Sequence, residues 1–433
     1  RVATICCNPL FPLSFYRDGW TDIGILLKVS CQRGGSVNSI PAYSQVAAAY
    51  AQAAGARATW LVRARNAFEV IAKTGMVGAH DRLVVYGDAV LDRCLDVRPW
   101  QNVSVADELT CDAFVQAGAM PHAEEAERAR LVPEDSPASY AHPAGMAADR
   151  LFWLVPSVGG PQLRTADLRA FSRAAQEAGA LLIVDNTLMT VYGCHPLMQG
   201  AHICIENLDA MVDAPLEEPV VAVSVARSLA RRGRRHLADP RAEDAHRLLS
   251  FGFGSPDAVE PQSAPAGEDL AAIDAALDSL AARMQPRFDG ANAIASYLSC
   301  HAAVGCVRYP ALATHPDHLL APTVLEHGFG PAVSFCLRGA PAESMRAQAT
   351  RFAALFEEAR VASAESFAAA STGESVVFDA PASAFDKTRR THIVPVADSK
   401  TCCLRLYMGA EHPLSIVDSL DQALRLFCNP PEP

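Results

Sequence analysis

An aspartate stands directly after an apolar run, at a place where α/β proteins bind ligands. The run LLIV (181–184) is typical of a buried strand, and Asp185 follows it. Open α/β sheets bind their ligands at the carboxyl ends of the strands. The sequence therefore predicts a binding crevice at this strand end, with Asp185 in it.

Four histidines are weaker candidates for chemistry. His195 and His202 lie shortly after the same strand and could perform acid–base work, although a core or solvated histidine is the commoner role. His315 and His318, in HPDH, are residue types that bind zinc, but Pro316 between them disfavours the helix that would place both on one face. We therefore expect no metal site and no catalytic histidine.

The composition excludes several classes of protein. The 433 residues include 37 Lys+Arg and 48 Asp+Glu, a formal net charge of −11, so nothing favours nucleic-acid binding. No apolar stretch approaches the roughly 18 to 20 residues that cross a bilayer. The 13 cysteines are scattered without a CxxC pair, which favours buried thiols in a reducing compartment. We expect a cytoplasmic protein with no nucleic-acid or membrane partner.

The apolar pattern predicts an α/β fold with a mostly parallel sheet. An alanine-rich helix is expected over 43–54, ending at Gly55, and after it short apolar runs alternate with helical segments. The clearest unit spans 151–186. There, LFWLVPS is a strand, a helix follows that Thr165 caps and Gly179 ends, and LLIV is the next strand. This is one βαβ unit.

Three regions are predicted: an N-terminal arm at 1–45, a large α/β domain at 46–265 and a smaller α+β domain at 266–433. Around 227–265 the composition shifts to Arg, Asp, Pro and Gly, which indicates a domain junction or a long surface excursion. A helix beginning at Asp269 is expected to stop at Pro286, and a second helix is expected around 291–298.

Several motifs occur together in a recognisable order. The segment IVDNTLMTVYGCHPLMQGAHICIEN (183–207) resembles the central signature of the Cys/Met-metabolism family of pyridoxal-phosphate enzymes, which includes the cystathionine lyases and synthases, methionine γ-lyase and O-acetylhomoserine sulfhydrylase. Similar pieces follow the family's order: PSVGGP (156–161), RMQPRFDGANAIASYL (283–298), YPALATHPDHLLA (309–321), GFGPAVSFCLRG (328–339), ESVVFDAPAS (374–383) and CLRLYMGAEHP (403–413). The resemblance covers 150–428 well and 40–100 loosely.

This resemblance implies a fold and a cofactor. The fold is that of fold-type I, aspartate-aminotransferase-like pyridoxal-phosphate transferases: a large cofactor-binding domain with a mostly parallel seven-stranded sheet and a smaller C-terminal domain, in dimers paired into tetramers. Asp185 matches the acid that partners the protonated pyridine nitrogen. Arg405, in CLRLYMG, matches the arginine whose guanidinium binds the substrate carboxylate.

The lysine that this chemistry requires is missing. The family binds the cofactor aldehyde to a lysine as a Schiff base. Counting 25 residues on from Asp185 gives Ala210 at that position, and no lysine occurs between Lys73 and Lys387. Either of those lysines could serve only in a rebuilt site.

The other cofactor contacts are also altered. The phosphate loop of the family falls on Ala64, Arg65 and Asn66, so an arginine replaces the glycine that lets backbone N–H groups approach a phosphate. The tyrosine that stacks on the ring falls on Val90, and the asparagine near the cofactor hydroxyl falls on Gly160. We expect pyridoxal phosphate to be lost or weakly bound.

Two functional hypotheses follow. The first is a catalytically degenerate homologue that acts as a structural or regulatory subunit, keeps an anionic amino-acid-like pocket at Arg405, and forms a dimer or tetramer with itself or with an active paralogue. The second is an active pyridoxal-phosphate-dependent carbon–sulfur lyase, or an O-acylhomoserine sulfhydrylase-like transferase, that uses displaced residues. The first is favoured because four cofactor contacts are changed together.

Overall fold

The computed structural model describes residues 41–74, 76–78, 81–87, 103–119, 150–212, 216–227, 229–232, 235–238, 240–255, 264–338, 345–371, 390–397 and 402–428. All of them lie in one compact unit, Ile40–Pro433. Most of the predicted N-terminal arm (1–45) falls outside the described residues, and so do Val90 and Lys387.

The strands, in chain order, are β1 (Ala58–Arg63), β2 (Arg82–Tyr86), β3 (Val103–Ala106), β4 (Leu151–Pro156), β5 (Val158–Gly159), β6 (Arg164–Thr165), β7 (Ala180–Asp185), β8 (Ile203–Asn207), β9 (Val220–Val225), β10 (Leu229–Arg232), β11 (Arg235–Ala238), β12 (Val304–Arg308), β13 (Ala332–Leu337), β14 (His392–Ala397) and β15 (Cys402–Tyr407).

The α-helices, in chain order, are α1 (Tyr43–Ala53), α2 (Ala67–Thr74), α3 (Cys111–Ala119), α4 (Leu168–Ala178), α5 (Thr190–Gly193), α6 (Pro240–Phe253), α7 (Gly267–Asp278), α8 (Leu280–Cys300), α9 (Ala321–Val324), α10 (Met345–Ser371) and α11 (Pro413–Cys428). Two short 3₁₀ helices, Pro196–Gln199 and Leu208–Ala210, flank β8. No helix in these described ranges is long and apolar enough to cross a membrane.

The main sheet has seven strands in the order β1-β9-β8-β7-β4-β2-β3. Only β9 runs antiparallel to its neighbours, β1 and β8; the other pairings are parallel. The predicted α/β architecture with a mostly parallel sheet is confirmed. Because β1, β8, β7, β4 and β2 run in one direction, their carboxyl ends meet at one edge, which is where ligands bind in such sheets.

Both faces of this sheet are covered, which explains why its strands are almost continuously apolar. In β4, Phe152 and Leu154 join the core beneath α2 and α6, while Trp153 and Val155 join the core beneath α1, α3 and α4. Trp153 packs edge to face against Phe171 of α4, with ring centroids 6.3 Å apart. The alternation of side chains along one strand therefore fixes helices on both faces of the sheet.

Two helix ends differ from the prediction. The N-cap of α4 is Asp167, whose carboxylate accepts from the Ala170 N–H at 2.9 Å; Thr165 instead lies buried in β6. Gly179 ends this helix as predicted, with φ 74°. Pro286 does not stop a helix, because α8 runs through it from Leu280 to Cys300. The carbonyl that a proline leaves without a partner belongs to Ala282, which is exposed to water.

The segment expected to be a junction or surface excursion is partly core. Within 227–265, α6 buries Ala245, Leu248 and Leu249 against the sheet. Its apolar spacing was masked in the sequence by the arginine and aspartate residues around it.

A second, antiparallel sheet has the order β12-β13-β15-β14. Residues of α8, α10 and α11 form its apolar core, in which Phe335 of β13 packs edge to face against Phe352 of α10 at 5.9 Å. This sheet positions Arg405, which lies on β15 opposite Ser334 of β13.

Candidate active site

Asp185 lies at the carboxyl edge of the main sheet. It is the last residue of β7 and is half-buried. Its carboxylate Oδ1 accepts from the Thr187 N–H at 3.0 Å, and its backbone carbonyl accepts from the Ser157 N–H at 2.9 Å. The second bond joins the ends of β7 and β4, so the loop that leaves β4 starts beside Asp185.

Arg405 reaches the same loop from the second sheet. Its side chain is only 2% exposed. Its Nε donates to Ser334 Oγ at 3.1 Å, Nη1 to Tyr407 Oη at 3.4 Å, and Nη2 to the Gly160 carbonyl. Gly160 has φ 71°, a backbone conformation that favours glycine. Arg405 therefore contacts the loop that follows β4, and β4 is the strand beside β7, which ends at Asp185.

Residues of the HPDH motif hold this loop in place. Asp317 accepts from Arg164 Nε at 2.7 Å and Nη2 at 2.9 Å, and from the Thr165 N–H at 2.8 Å. His315 Nδ1 accepts from the Asp317 N–H at 3.1 Å, so its Nε2 carries the hydrogen and donates to the Gln162 carbonyl at 2.9 Å. Burial lowers the pKa of His315. The neutral ring is therefore part of the packing of the β5–β6 hairpin.

The start of α2 is filled by the protein's own side chains. Asn66 Oδ1 accepts from the Glu69 N–H at 3.0 Å, and Glu69 Oε2 accepts from the Arg65 N–H at 2.8 Å and from Arg65 Nε at 3.0 Å. Ala64 is buried, and its N–H donates to the Pro219 carbonyl at 3.0 Å. A carboxylate thus occupies the helix N-terminus that the resemblance assigns to a phosphate group.

The segment at the expected lysine position is a short 3₁₀ turn. Leu208–Ala210 follows β8 directly, and Asn207 caps it by accepting from the Asp209 N–H at 2.8 Å. Asn207 also donates from Nδ2 to the Arg65 carbonyl at 2.7 Å, and its N–H donates to Thr187 Oγ1 at 3.0 Å. Asn207 therefore ties together the loops that follow β1, β7 and β8.

These residues do not fit pyridoxal phosphate as the family binds it. The cofactor phosphate would meet the Glu69 carboxylate, and two backbone N–H groups there already have acceptors within the chain. The turn at Ala210 brings no amine to the edge. Within the described residues, no group of three or more His, Cys, Asp or Glu side chains could hold a metal ion.

The two remaining histidine candidates, His202 and His195, contact groups of neighbouring segments. His202 is 4% exposed, and its Nδ1 accepts from the Leu182 N–H at 2.8 Å. His195 Nε2 lies 3.7 Å from Glu326 Oε2, at the end of the turn that follows β7.

A buried polar cluster beneath Asp185 was missed in the sequence. Glu206 is 2% exposed and accepts from Tyr50 Oη, from Asn186 Nδ2 at 2.5 Å and from Cys204 Sγ at 3.7 Å. Burial raises its pKa to about 7, while the hydrogen bonds from Tyr50 and Asn186 oppose the rise. The signal in the sequence was a single acidic residue inside the apolar strand ICIEN.

Comparison with known proteins relates more than half of the chain to one family. The model of a family described as Cys/Met metabolism PLP-dependent enzyme matches residues 139–210 and 262–425, which together are more than half of the chain. The cystathionine γ-lyase of Sus scrofa is 27% identical over 279 residues, 64% of this chain and 60% of that protein. A probable cystathionine γ-synthase of Herpetosiphon aurantiacus is 29% identical over 190 residues, 44% of this chain and 53% of that protein. The matches thus span about three fifths or less of these relatives' lengths.

Solved structures share the fold. An apo methionine γ-lyase from Micromonospora echinospora superposes with a TM-score of 0.59 at 20% identity, covering 88% of this chain and 85% of that one. A cystathionine γ-synthase from Xanthomonas oryzae pv. oryzae, in complex with aminoacrylate and cysteine, gives 0.60 at 20% identity, covering 89% and 85%. The predicted fold-type I architecture is confirmed. By its sequence, the chain belongs to the Cys/Met metabolism family of pyridoxal-phosphate-dependent enzymes.

Proposed function

We propose that this chain is a catalytically degenerate member of its family. It has the family's fold, does not form the family's covalent cofactor site, and acts as a structural or regulatory subunit. Arg405 provides a residual pocket for an anionic, amino-acid-like ligand.

The observation that carries the proposal is the carboxylate of Glu69 at the start of α2. A helix N-terminus attracts an anion through its free N–H groups and its dipole. Here Glu69 supplies that negative charge, and Arg65 Nε supplies its counter-ion 3.0 Å away. A phosphate dianion would have to displace the Glu69 carboxylate, whose negative charge would repel it. The absence of any lysine between Lys73 and Lys387 supports the same conclusion.

Arg405 supports the ligand pocket. Its guanidinium is buried and oriented by Ser334 and Tyr407, and its planar fork suits a carboxylate. It lies next to the loop that starts beside Asp185.

The organisation of the subunit is part of the proposal. The arm at 1–45, the large domain at 46–265 and the smaller domain at 266–433 are proposed as its three regions. We also propose a cytoplasmic dimer or tetramer, made of this chain alone or together with an active paralogue. Light scattering that shows a stable monomer at micromolar concentration, with no paralogue recovered from native extracts, would contradict this assembly.

The cofactor half of the proposal is tested by titrating the purified protein with pyridoxal phosphate and following visible absorbance. We expect no saturable binding and no cofactor fixed by borohydride. Ala210→Lys alone should not restore binding, because the phosphate approach remains closed. Combining it with Arg65→Gly, Ala64→Ser, Val90→Tyr and Glu69→Gln, which removes the carboxylate from the start of α2, should restore binding in part.

Two outcomes would overturn this half. Tight cofactor binding by Ala210→Lys alone would show that the pocket is still built for the cofactor. A yellow wild-type protein whose reduced cofactor maps to Lys73 or Lys387 would establish the alternative, an active carbon–sulfur lyase or sulfhydrylase-like transferase with a displaced lysine.

The ligand half is tested by thermal shift with L-methionine and with L-methioninamide, which lacks the carboxylate. We expect L-methionine to raise the melting temperature and L-methioninamide to leave it unchanged. Arg405→Lys should abolish the difference, whereas Arg425→Lys, at an exposed site on α11, should retain it. Equal changes of the wild-type melting temperature with the two ligands would show that Arg405 does not form a carboxylate-binding pocket.

A further inference from the structure

The short helix α5, Thr190–Gly193, begins with a strained residue. Thr190 has φ 56°, in the left-handed region that β-branched residues rarely adopt. Such strain persists only where the surroundings enforce it. The Thr190 N–H donates to the Asn186 carbonyl at 2.8 Å, and the Asn186 side chain donates from Nδ2 to the Thr190 and Cys194 carbonyls, each at 3.0 Å. Asn186 thus holds both ends of the turn.

The same amide group also serves Glu206. Asn186 Nδ2 lies 2.5 Å from Glu206 Oε1. An amide nitrogen has two hydrogens, but three oxygen atoms surround this one: two carbonyls of the turn and one carboxyl oxygen. A charged oxygen attracts an N–H more strongly than a neutral one. Ionisation of Glu206 would therefore draw the amide hydrogens away from the turn.

Glu206 has surroundings that let it titrate within the folded protein. The titratable groups that face it are Tyr50 from α1, Cys194 from the end of the turn, Cys204 from its own strand and Asp185 from β7. No ion pair to Glu206 exists among the described residues, so its charge would have no counter-ion. Burial raises its pKa to about 7, and Asp185 adds to the rise.

We propose that Glu206 and Asn186 form a pH-dependent clasp on the strained turn Thr190–Gly193. The term clasp here means the hydrogen-bonded pair that holds the turn closed while Glu206 is protonated. Protonated Glu206 leaves the Asn186 amide to the carbonyls of the turn and keeps the turn closed. Ionised Glu206 competes for the amide, gains from hydration when the cluster opens, and releases the strain. The inference requires no bound ligand and stands whether or not the proposed function is correct.

Opening of the turn would also change the contacts that Tyr192 makes. Tyr192, in the turn, stacks on His327 at 4.5 Å between ring centroids and donates to Gln285 Oε1 at 2.5 Å. His327 also has a left-handed backbone, with φ 59°. The turn is thus packed against a second strained residue, and both can relax when the clasp opens. The clasp is a pH-sensitive element whose Asn186 directly follows Asp185.

The test is amide hydrogen exchange read by mass spectrometry on a peptide covering 187–199, corrected for the intrinsic exchange rate at each pH. For a carboxyl that titrates near 7 when closed and near 4.5 when open, linkage gives about a tenfold loss of protection between pH 6 and pH 8.5. Helix α11, which packs on the second sheet, serves as the internal reference and should show no such change.

Three variants complete the test. Glu206→Gln mimics the protonated state and should keep the turn protected across the whole range. Tyr50→Phe removes a donor that favours the ionised form, so the loss should be larger and should continue to higher pH than in the wild type. Glu243→Gln, at an exposed carboxylate paired with Arg57, should behave like the wild type. A flat wild-type profile, or the same loss in Glu206→Gln, would overturn the proposal; if Glu206→Gln does not fold, an unshifted profile in Tyr50→Phe would do so.

Discussion

Asp317→Asn should destabilise the protein more than its small change in size suggests. Asp317 is 6% exposed and accepts two hydrogen bonds from Arg164 and one from the Thr165 N–H. An asparagine can keep its oxygen at the Oδ2 position, facing Arg164 Nε and Thr165. Its amide hydrogens then face Arg164 Nη2, a donor. One charge-assisted bond is lost, and the cation loses its counter-ion.

The magnitude follows from these contacts. A hydrogen bond to a charged group contributes about 1.5–3 kcal/mol, and removing one partner of a fully buried ion pair costs about 3–5 kcal/mol. The Arg164 side chain is 28% exposed, so water recovers part of its solvation. We therefore expect Asp317→Asn to lower the free energy of unfolding by about 2–3 kcal/mol.

Urea unfolding at pH 7 measures this loss, with Asp244→Asn as the matched control. Asp244 pairs with Arg247 on the surface of α6 at 3.7 Å, with both side chains about half exposed, and its change should cost under about 0.5 kcal/mol. A double-mutant cycle with Arg164→Met then isolates the coupling between Asp317 and Arg164. Equal losses in the two aspartate variants would refute the reasoning, because the hairpin would then not depend on this ion pair.

Three further predictions concern groups inside the fold. The raised pKa of Glu206 makes the folded state bind more protons than the unfolded state, so wild-type stability should fall by about 3 kcal/mol as pH rises from 4.5 through 7, and by less in Glu206→Gln, as measured by urea midpoints. The lowered pKa of His315 acts in the opposite direction: stability should fall as pH drops below 6.5, and His315→Gln should reduce this loss in the same assay. Gly193→Ala would place a Cβ 2.6 Å from Met189 Cε and 2.8 Å from the Phe288 ring, so it should cost about 1–3 kcal/mol in urea unfolding, and no loss would show that the turn can move away.

The sequence predicted the elements whose signals are local. The apolar runs before Ser157 and Asp185 and the glycine between them define a βαβ unit that the structure contains. The predictions from sequence were wrong where two nearby residues could fill the same role, or where the surroundings offset an unfavourable residue. Asp167 and Thr165 lie two residues apart, and either residue type can cap a helix. In the folded chain Thr165 belongs to strand β6, so Asp167 is the cap. Pro286 leaves without a partner the carbonyl of Ala282, an exposed residue, where water can compensate.

The contacts that define the candidate site could not be predicted, because they join distant parts of the chain. Tyr50 and Glu206 are separated by 156 residues, and Arg164 and Asp317 by 153. Neither pair has a local pattern. Family resemblance placed Asp185 and Arg405 at matching positions, but it did not indicate that Glu69 would occupy the start of α2.

Arg405 and the start of α2 are held in place by different kinds of contact. Arg405 bonds to Ser334, Tyr407 and the Gly160 carbonyl, so it stabilises the contact between the second sheet and the β5–β6 loop even without a ligand. At the start of α2, by contrast, the Glu69 carboxylate accepts hydrogen bonds from the Arg65 N–H and from Arg65 Nε. The contacts of Arg405 stabilise the fold with or without a ligand, so a test of binding has to separate the two roles of this residue. The difference between L-methionine and its amide is therefore decisive: a stabilising arginine lowers the melting temperature when changed to lysine, but only a binding arginine makes that temperature depend on the ligand's carboxylate.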